Sequence, residues 1–147
     1  MSNADLSGQP DIAGLDRFLE AQERDYYRAL IEIRSGRKRT HWMWYIFPQF
    51  AGLGVSQLSQ KYAIRNLSEA MAYISHPILG PRLIECAEAV LGIEGHSATE
   101  IFGTPDDMKL WSCATLFEIV SPPGSVFERL LTKYYGGRRD PLTLEAV

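Results

Sequence analysis

An all-α fold of about six to seven helices is predicted for this chain by three observations. Apolar residues recur at three- and four-residue steps in several segments. Helix-capping patterns punctuate those segments. No run of six or more positions alternates apolar with polar residues, and no Asn-Gly or Asp-Gly hairpin signal occurs. A small strand pair near residues 42–50 is the one place where sheet is allowed for. From Leu15 to Ile33, the positions Leu15, Phe18, Leu19, Tyr26, Tyr27, Leu30 and Ile33 trace one apolar stripe, with Asp16 or a neighbour as cap and Ser35-Gly36 as stop. The next stretch, His41 to Phe50, is broken by Pro48, Gly52 and Gly54 and reads as loop with a short extended or single-turn piece. Ser56 to Tyr62 reads as a short helix. Asn66 or Ser68 caps another, which ends at His76-Pro77. A further stripe, Leu83 to Leu91, follows Gly80-Pro81 and closes at Gly92, since proline is tolerated in a first helical turn. Ser97-Ala98-Thr99-Glu100 has the capping-box pattern. Thr104-Pro105-Asp106-Asp107 reads as capping threonine, first-turn proline and two acids ahead of a helix ended by Pro122-Pro123-Gly124. Ser125 to Glu128 repeats the box before a helix stopped by Gly136-Gly137, and Asp140-Pro141 caps a last turn.

With 147 residues, the chain is long enough to bury a core without disulfides or structural metal. Residues 15–147 are expected to form a single globular α-helical domain. Residues 1–14 are set apart as an N-terminal segment, partly disordered or, in Ser2-Asn3-Ala4, vector-derived. The balance of 15 Lys+Arg against 18 Asp+Glu speaks against broad nucleic-acid or anionic-lipid binding. Two cysteines, Cys86 and Cys113, are too few for a secreted scaffold and lack zinc-site spacing. No apolar run reaches membrane-spanning length, and the opening residues lack a signal-peptide pattern, so a cytoplasmic, non-membrane protein is expected.

The signatures of the common phosphate-loop, dinucleotide, metalloprotease and serine-hydrolase sites are absent. What stands out is a juxtaposition. Arg34, Arg37, Lys38, Arg39 and His41 form one basic run, and Trp42, Trp44, Tyr45, Phe47 and Phe50 follow at once. A solvated helix end explains the first and core packing the second. Together they also suit a cleft in which guanidinium or ammonium groups hold phosphate and aromatic rings stack a base. Gln49, Lys61 and Tyr62 are near enough in sequence to line the same cleft. Asp106, Asp107 and Lys109 make a second polar cluster, where a lysine near a helix start is poorly placed for the macrodipole. The cysteines fall on apolar faces and read as core.

Gly36 to Gln49, with Gly52-Leu53-Gly54 and Ser56, resembles the hallmark of a bacterial family, the domain of unknown function 1810. Tyr62-Ala63-Ile64, Glu69-Ala70, His76-Pro77, Leu79-Gly80, Phe102-Gly103, Pro105-Asp106-Asp107, Lys109-Leu110, Ser112, Thr115-Leu116-Phe117 and Asp140-Pro141 extend the likeness to the C-terminus. A looser similarity, in the order Glu69, Leu79-Gly80 with Arg82, Lys109 and Asp140, is to the NADAR family of ADP-ribose-related nucleotide chemistry. That resemblance implies a nucleotide-like or ADP-ribose-like ligand and, for an enzyme, hydrolysis of an N-glycosidic bond. Glu69 and Asp107 then supply carboxylates, with Lys109 beside them as the third catalytic candidate. Arg37, Lys38, Lys61 and Lys109 hold phosphate. Trp42 and Trp44 stack the base, and His41, Phe47, Gln49 and Tyr62 complete the binding set. No metal or cofactor is called for. The rival reading is a non-catalytic interaction module, at its simplest a homodimer formed through Trp42 to Phe50.

Overall fold

The longest amphipathic stripe in the sequence becomes the longest helix in the structure, a computed structural model that describes residues 14–147. The expectation for the segment before Gly14 lies outside the described residues. Helix α1, Asp16–Arg34, buries Phe18, Ala21, Tyr26, Ala29, Leu30 and Ile33. Asp16 is not its cap: Leu15 stands at that position and no side chain caps the helix. The single turn α2, Met43–Ile46, forms within the aromatic stretch. The allowance for strands there reduces to one parallel bridge, in which Ala51 N–H donates to Ile64 O and Ile64 N–H donates to Gln49 O, each at 2.8 Å.

Helix α3, Gln57–Lys61, is capped by Ser56, and α4, Leu67–Ser75, by Asn66. Helix α5, Leu79–Leu91, starts before Gly80-Pro81 rather than after it. The missing N–H of Pro81 falls in the first turn, where it has no intrahelical partner to lose. Nδ1 of His76 accepts from Ile78 N–H and Leu79 N–H at 3.0 and 3.2 Å, so the histidine caps the entry to α5. Helix α6, Ala98–Phe102, has the full Ser97/Glu100 capping box. Helix α7, Asp106–Ile119, differs from expectation at its start: Pro105 occupies the cap position, and the Thr104 hydroxyl turns to the Asp107 carboxylate instead of the helix backbone. Helix α8, Val126–Tyr135, is capped by Ser125 and ends at left-handed Gly136; α9, Pro141–Ala146, is capped by Asp140. Nine helices among the described residues exceed the expected six to seven because four of them, α2, α3, α6 and α9, span only four to six residues.

The middle of the molecule is α7, which packs on α4, α6, α8 and α9, while α1 lies on α2 and α5. Leu110, Ser112, Cys113, Ala114, Thr115, Leu116 and Phe117 are all buried, so the helix is enclosed on nearly every side. Its first turns emerge at the surface, and with them Met108 and Lys109. No helix among the described residues is long and apolar enough to cross a membrane.

Candidate functional site

The aromatic end of the basic-aromatic run is held in the core by one carboxylate. Glu32, buried on α1, accepts from the Trp42 indole N–H at 2.9 Å, from the backbone N–H of Arg39 and Thr40 at 2.8 and 3.0 Å, and from the Thr40 hydroxyl at 2.6 Å. Burial works to raise the Glu32 pKa, but these four donors outweigh it and hold the group down to about 2. The Trp42 ring is therefore wholly buried, packed edge-on to Phe102 and tilted against Phe47, which is itself buried. Neither ring offers a face to a ligand. Tyr45 and Tyr62 pack on each other in the interior as well. Of the five rings expected to wall a cleft or form a dimer patch, Trp42, Tyr45, Phe47 and Phe50 are buried in the core, and Trp44 is half-buried against it.

The cleft that does form lies between the 49–59 loop and the outer face of α7. It encloses about 390 Å³ and is lined by Gln49, Gly54, Ser56, Ser59, Lys109 and Ser112, with Asp140 also in its wall and Leu53, Val55, Met108, Trp111 and Leu142 supplying apolar surface. Gly54 is needed for the loop to close: a Cβ there would lie 2.5 Å from the Cβ of Ser59. Pro105, Met108, Lys109 and Ser112 share one side of α7 at helical spacing, which is how a mostly buried helix presents Lys109 and Ser112 to the cleft.

Beside the cleft stands a small ion cluster. Lys38 Nζ lies 2.8 Å from Asp106, and Lys109 Nζ lies 3.6 Å from the other oxygen of the same carboxylate. The two ammonium groups rest over aromatic faces, Lys38 over Trp42 at 5.0 Å and Lys109 over Trp44 at 5.1 Å from the ring centres. Their side chains are only 7% and 19% exposed. Two largely desolvated cations thus share one anion. Trp44 Nε1, next to Lys109, is buried with no acceptor among the described residues.

The cleft also holds a carboxylate that the sequence-based site set omits. Asp140, 4% exposed, accepts from Ser112 Oγ at 2.6 Å, Thr143 Oγ1 at 2.8 Å and Leu142 N–H at 3.2 Å. All three donors are neutral. Its own N–H donates to Thr115 Oγ1 at 2.9 Å. Trp111 is the aromatic ring in the cleft lining; it stacks on Tyr135 at 5.8 Å and donates to Arg138 O.

Of the twelve residues expected at the site, Gln49 and Lys109 line the cleft, and Lys38 and Trp44 stand beside it. The other eight do not join them. Glu69 is enclosed by Arg17 and Arg65 at 3.1 and 2.5 Å and accepts from Arg65 N–H, so it serves as the anchor of the α3–α4 corner. Its pKa is pulled down, since burial, which raises it, is outweighed by hydrogen bonds from the two arginines. Asp107 accepts from Thr99 Oγ1 at 2.6 Å and lines a neighbouring groove with Tyr134 and Tyr135. Lys61 lines a separate basic hollow with Arg17 and Arg65. Arg37 and His41 are exposed elsewhere on the surface. Trp42, Phe47 and Tyr62 are core.

Comparison with known families decides the chain's kinship. The description "Protein of unknown function (DUF1810)" matches residues 12–147. The chain belongs to the DUF1810 family. Among solved structures, the DUF1810 chain is similar to the conserved hypothetical protein Rv1873 from Mycobacterium tuberculosis, at 49% identity and a TM-score of 0.90, over 92% of this chain and 96% of that one. No curated protein matches it.

Proposed function

We propose that the cleft between the 49–59 loop and α7 binds a nucleotide-like or ADP-ribose-like anion, with its phosphate at Lys109. The observation that carries this reading is the Lys38–Asp106–Lys109 set. Two cations of 7% and 19% side-chain exposure share a single carboxylate, leaving a desolvated positive charge that an arriving anion would neutralise. The hydroxyls of Ser56 and Ser59 and the amide of Gln49 supply neutral hydrogen bonds around it, and Trp111 with Leu53 and Leu142 supplies apolar surface for a sugar or base. The resemblance to the NADAR family supports the same ligand class. N-glycosidic hydrolysis is the reaction to test in this cleft. The carboxylate in its wall is Asp140, so Asp140 takes the part first given to Glu69 and Asp107.

Thermal shift with ADP-ribose tests the binding step, because a ligand of the native state raises apparent stability by mass action. ADP-ribose is expected to raise the Tm of the wild-type protein, and Lys109→Met is expected to abolish the rise while leaving the unliganded Tm within a few degrees. Release of free base from ADP-ribosylated nucleosides, followed by chromatography, tests catalysis. No Tm rise and no base release would sink the proposal.

A further inference from the structure

The carboxylate in the cleft wall, Asp140, and the one beside the cleft, Asp106, differ in their partners. Asp106 holds two lysines. Asp140 has no cationic partner within salt-bridge distance among the described residues, although it is nearly as buried as any charged group in the molecule. A carboxylate offers roughly four acceptor positions, and Ser112, Thr143 and Leu142 occupy three of them. Oδ2 takes both hydroxyls. Oδ1 takes only the Leu142 amide, at 3.2 Å, and keeps acceptor capacity. Ser112 contributes a second acceptor. Its one proton serves the Asp140 carboxylate at 2.6 Å and the Met108 carbonyl oxygen at 3.2 Å, so its lone pairs remain for another donor. Two acceptors thus stand side by side in the cleft wall, and a ligand that meets both must bring two adjacent donors. A vicinal diol does so without bringing charge.

Position on the helix adds the other half of the ligand. Ser112 follows Lys109 by three residues on α7, which sets their Cβ atoms roughly 5–6 Å apart on one face. An anion at Lys109 and a diol at Ser112 and Asp140 therefore lie in the wall of one cleft. Trp111 and Leu142 provide apolar surface there. We infer that Asp140 and Ser112 read the ribosyl hydroxyls of the ligand whose phosphate sits at Lys109, making them the residues that select ribosyl over deoxyribosyl compounds. This inference rests on the anion-binding reading of the same cleft.

Isothermal titration of the full chain with four small compounds separates the two. The probes are ribose 5-phosphate, 2-deoxyribose 5-phosphate, O-phosphoethanolamine and inorganic phosphate. Ribose 5-phosphate is expected to bind about tenfold or more tighter than its deoxy analogue, the loss of one hydrogen bond to a charged acceptor. Asp140→Asn is expected to bring that ratio towards one. Asparagine remains a good helix cap, so α9 keeps its start, and Ser112→Ala, which spares the cap altogether, is expected to shrink the ratio as well. Lys109→Met is expected to weaken all four probes without restoring a smaller ratio. Equal binding of ribose and deoxyribose phosphates overturns the inference and leaves the anion site standing. So does O-phosphoethanolamine binding as tightly as ribose 5-phosphate, because Asp140 would then be reading an ammonium group. If none of the four binds at millimolar concentration, the anion-site reading fails and this inference with it.

Discussion

Glu32 shows how one buried acceptor can decide the fate of a whole segment. Its carboxylate gathers four donors from residues 39–42, and in doing so turns Trp42 inward. Since its folded pKa of about 2 lies below the ordinary 4.5, the native state binds its proton less readily than the unfolded chain does. The stability it contributes is complete above about pH 4.5 and is lost as the pH falls through that window towards 2. Glu32→Gln keeps the shape but removes the charge. It is expected to cost about 1–3 kcal/mol at neutral pH and to flatten the fall in stability between pH 4.5 and 2, both measurable by urea denaturation across that range. Sequence reading could not find this residue. A glutamate ten positions before Trp42, on the stripe edge of a helix, has no local pattern to distinguish it from the exposed acids around it.

At the scale of elements, the caps were legible and the enclosure of α7 was not. Ser97, Ser125 and Asp140 each cap the helix expected of them, Asn66 is the one of the two candidates that caps α4, and Ser56 caps the helix expected to begin with it, because capping is a contact between residues two or three apart. The start of α7 misled for a physical reason: Thr104 has a competing acceptor, Asp107, and satisfies its hydroxyl there. A helix packed on four neighbours does not divide cleanly into an apolar and a polar face, so periodicity gives no signal that Trp111 lines the cleft. The α4–α5 junction carries a sharper constraint. A Cβ at Gly80 would collide with the Ile74 carbonyl oxygen, a backbone atom that cannot swing aside. Gly80→Ala is expected to destabilise the protein by about 1–3 kcal/mol, seen as a lower urea midpoint with unchanged slope; an unaltered midpoint would show that the junction yields freely.

For the whole molecule, the sequence average conceals the distribution. A formal charge of −3 speaks against broad attraction of polyanions, yet the interior edge of one cleft holds two lysines on a single aspartate. The first of these lysines belongs to the basic run and the second to the α7 start, 71 positions apart in the chain. Only the tertiary fold brings them together, which is why the sequence singled out both segments without joining them. The aromatics that drew attention to the first segment serve to bury it and to present ring faces beneath the ammonium groups. An NMR titration of the isotopically labelled chain with ADP-ribose locates the ligand on the molecule. Shifts should concentrate at the amides of Gln49, Ser56, Lys109 and Ser112 and at the Trp111 indole. Shifts confined to the Arg17–Lys61–Arg65 hollow, or none at saturating ligand, would contradict the assignment of the cleft.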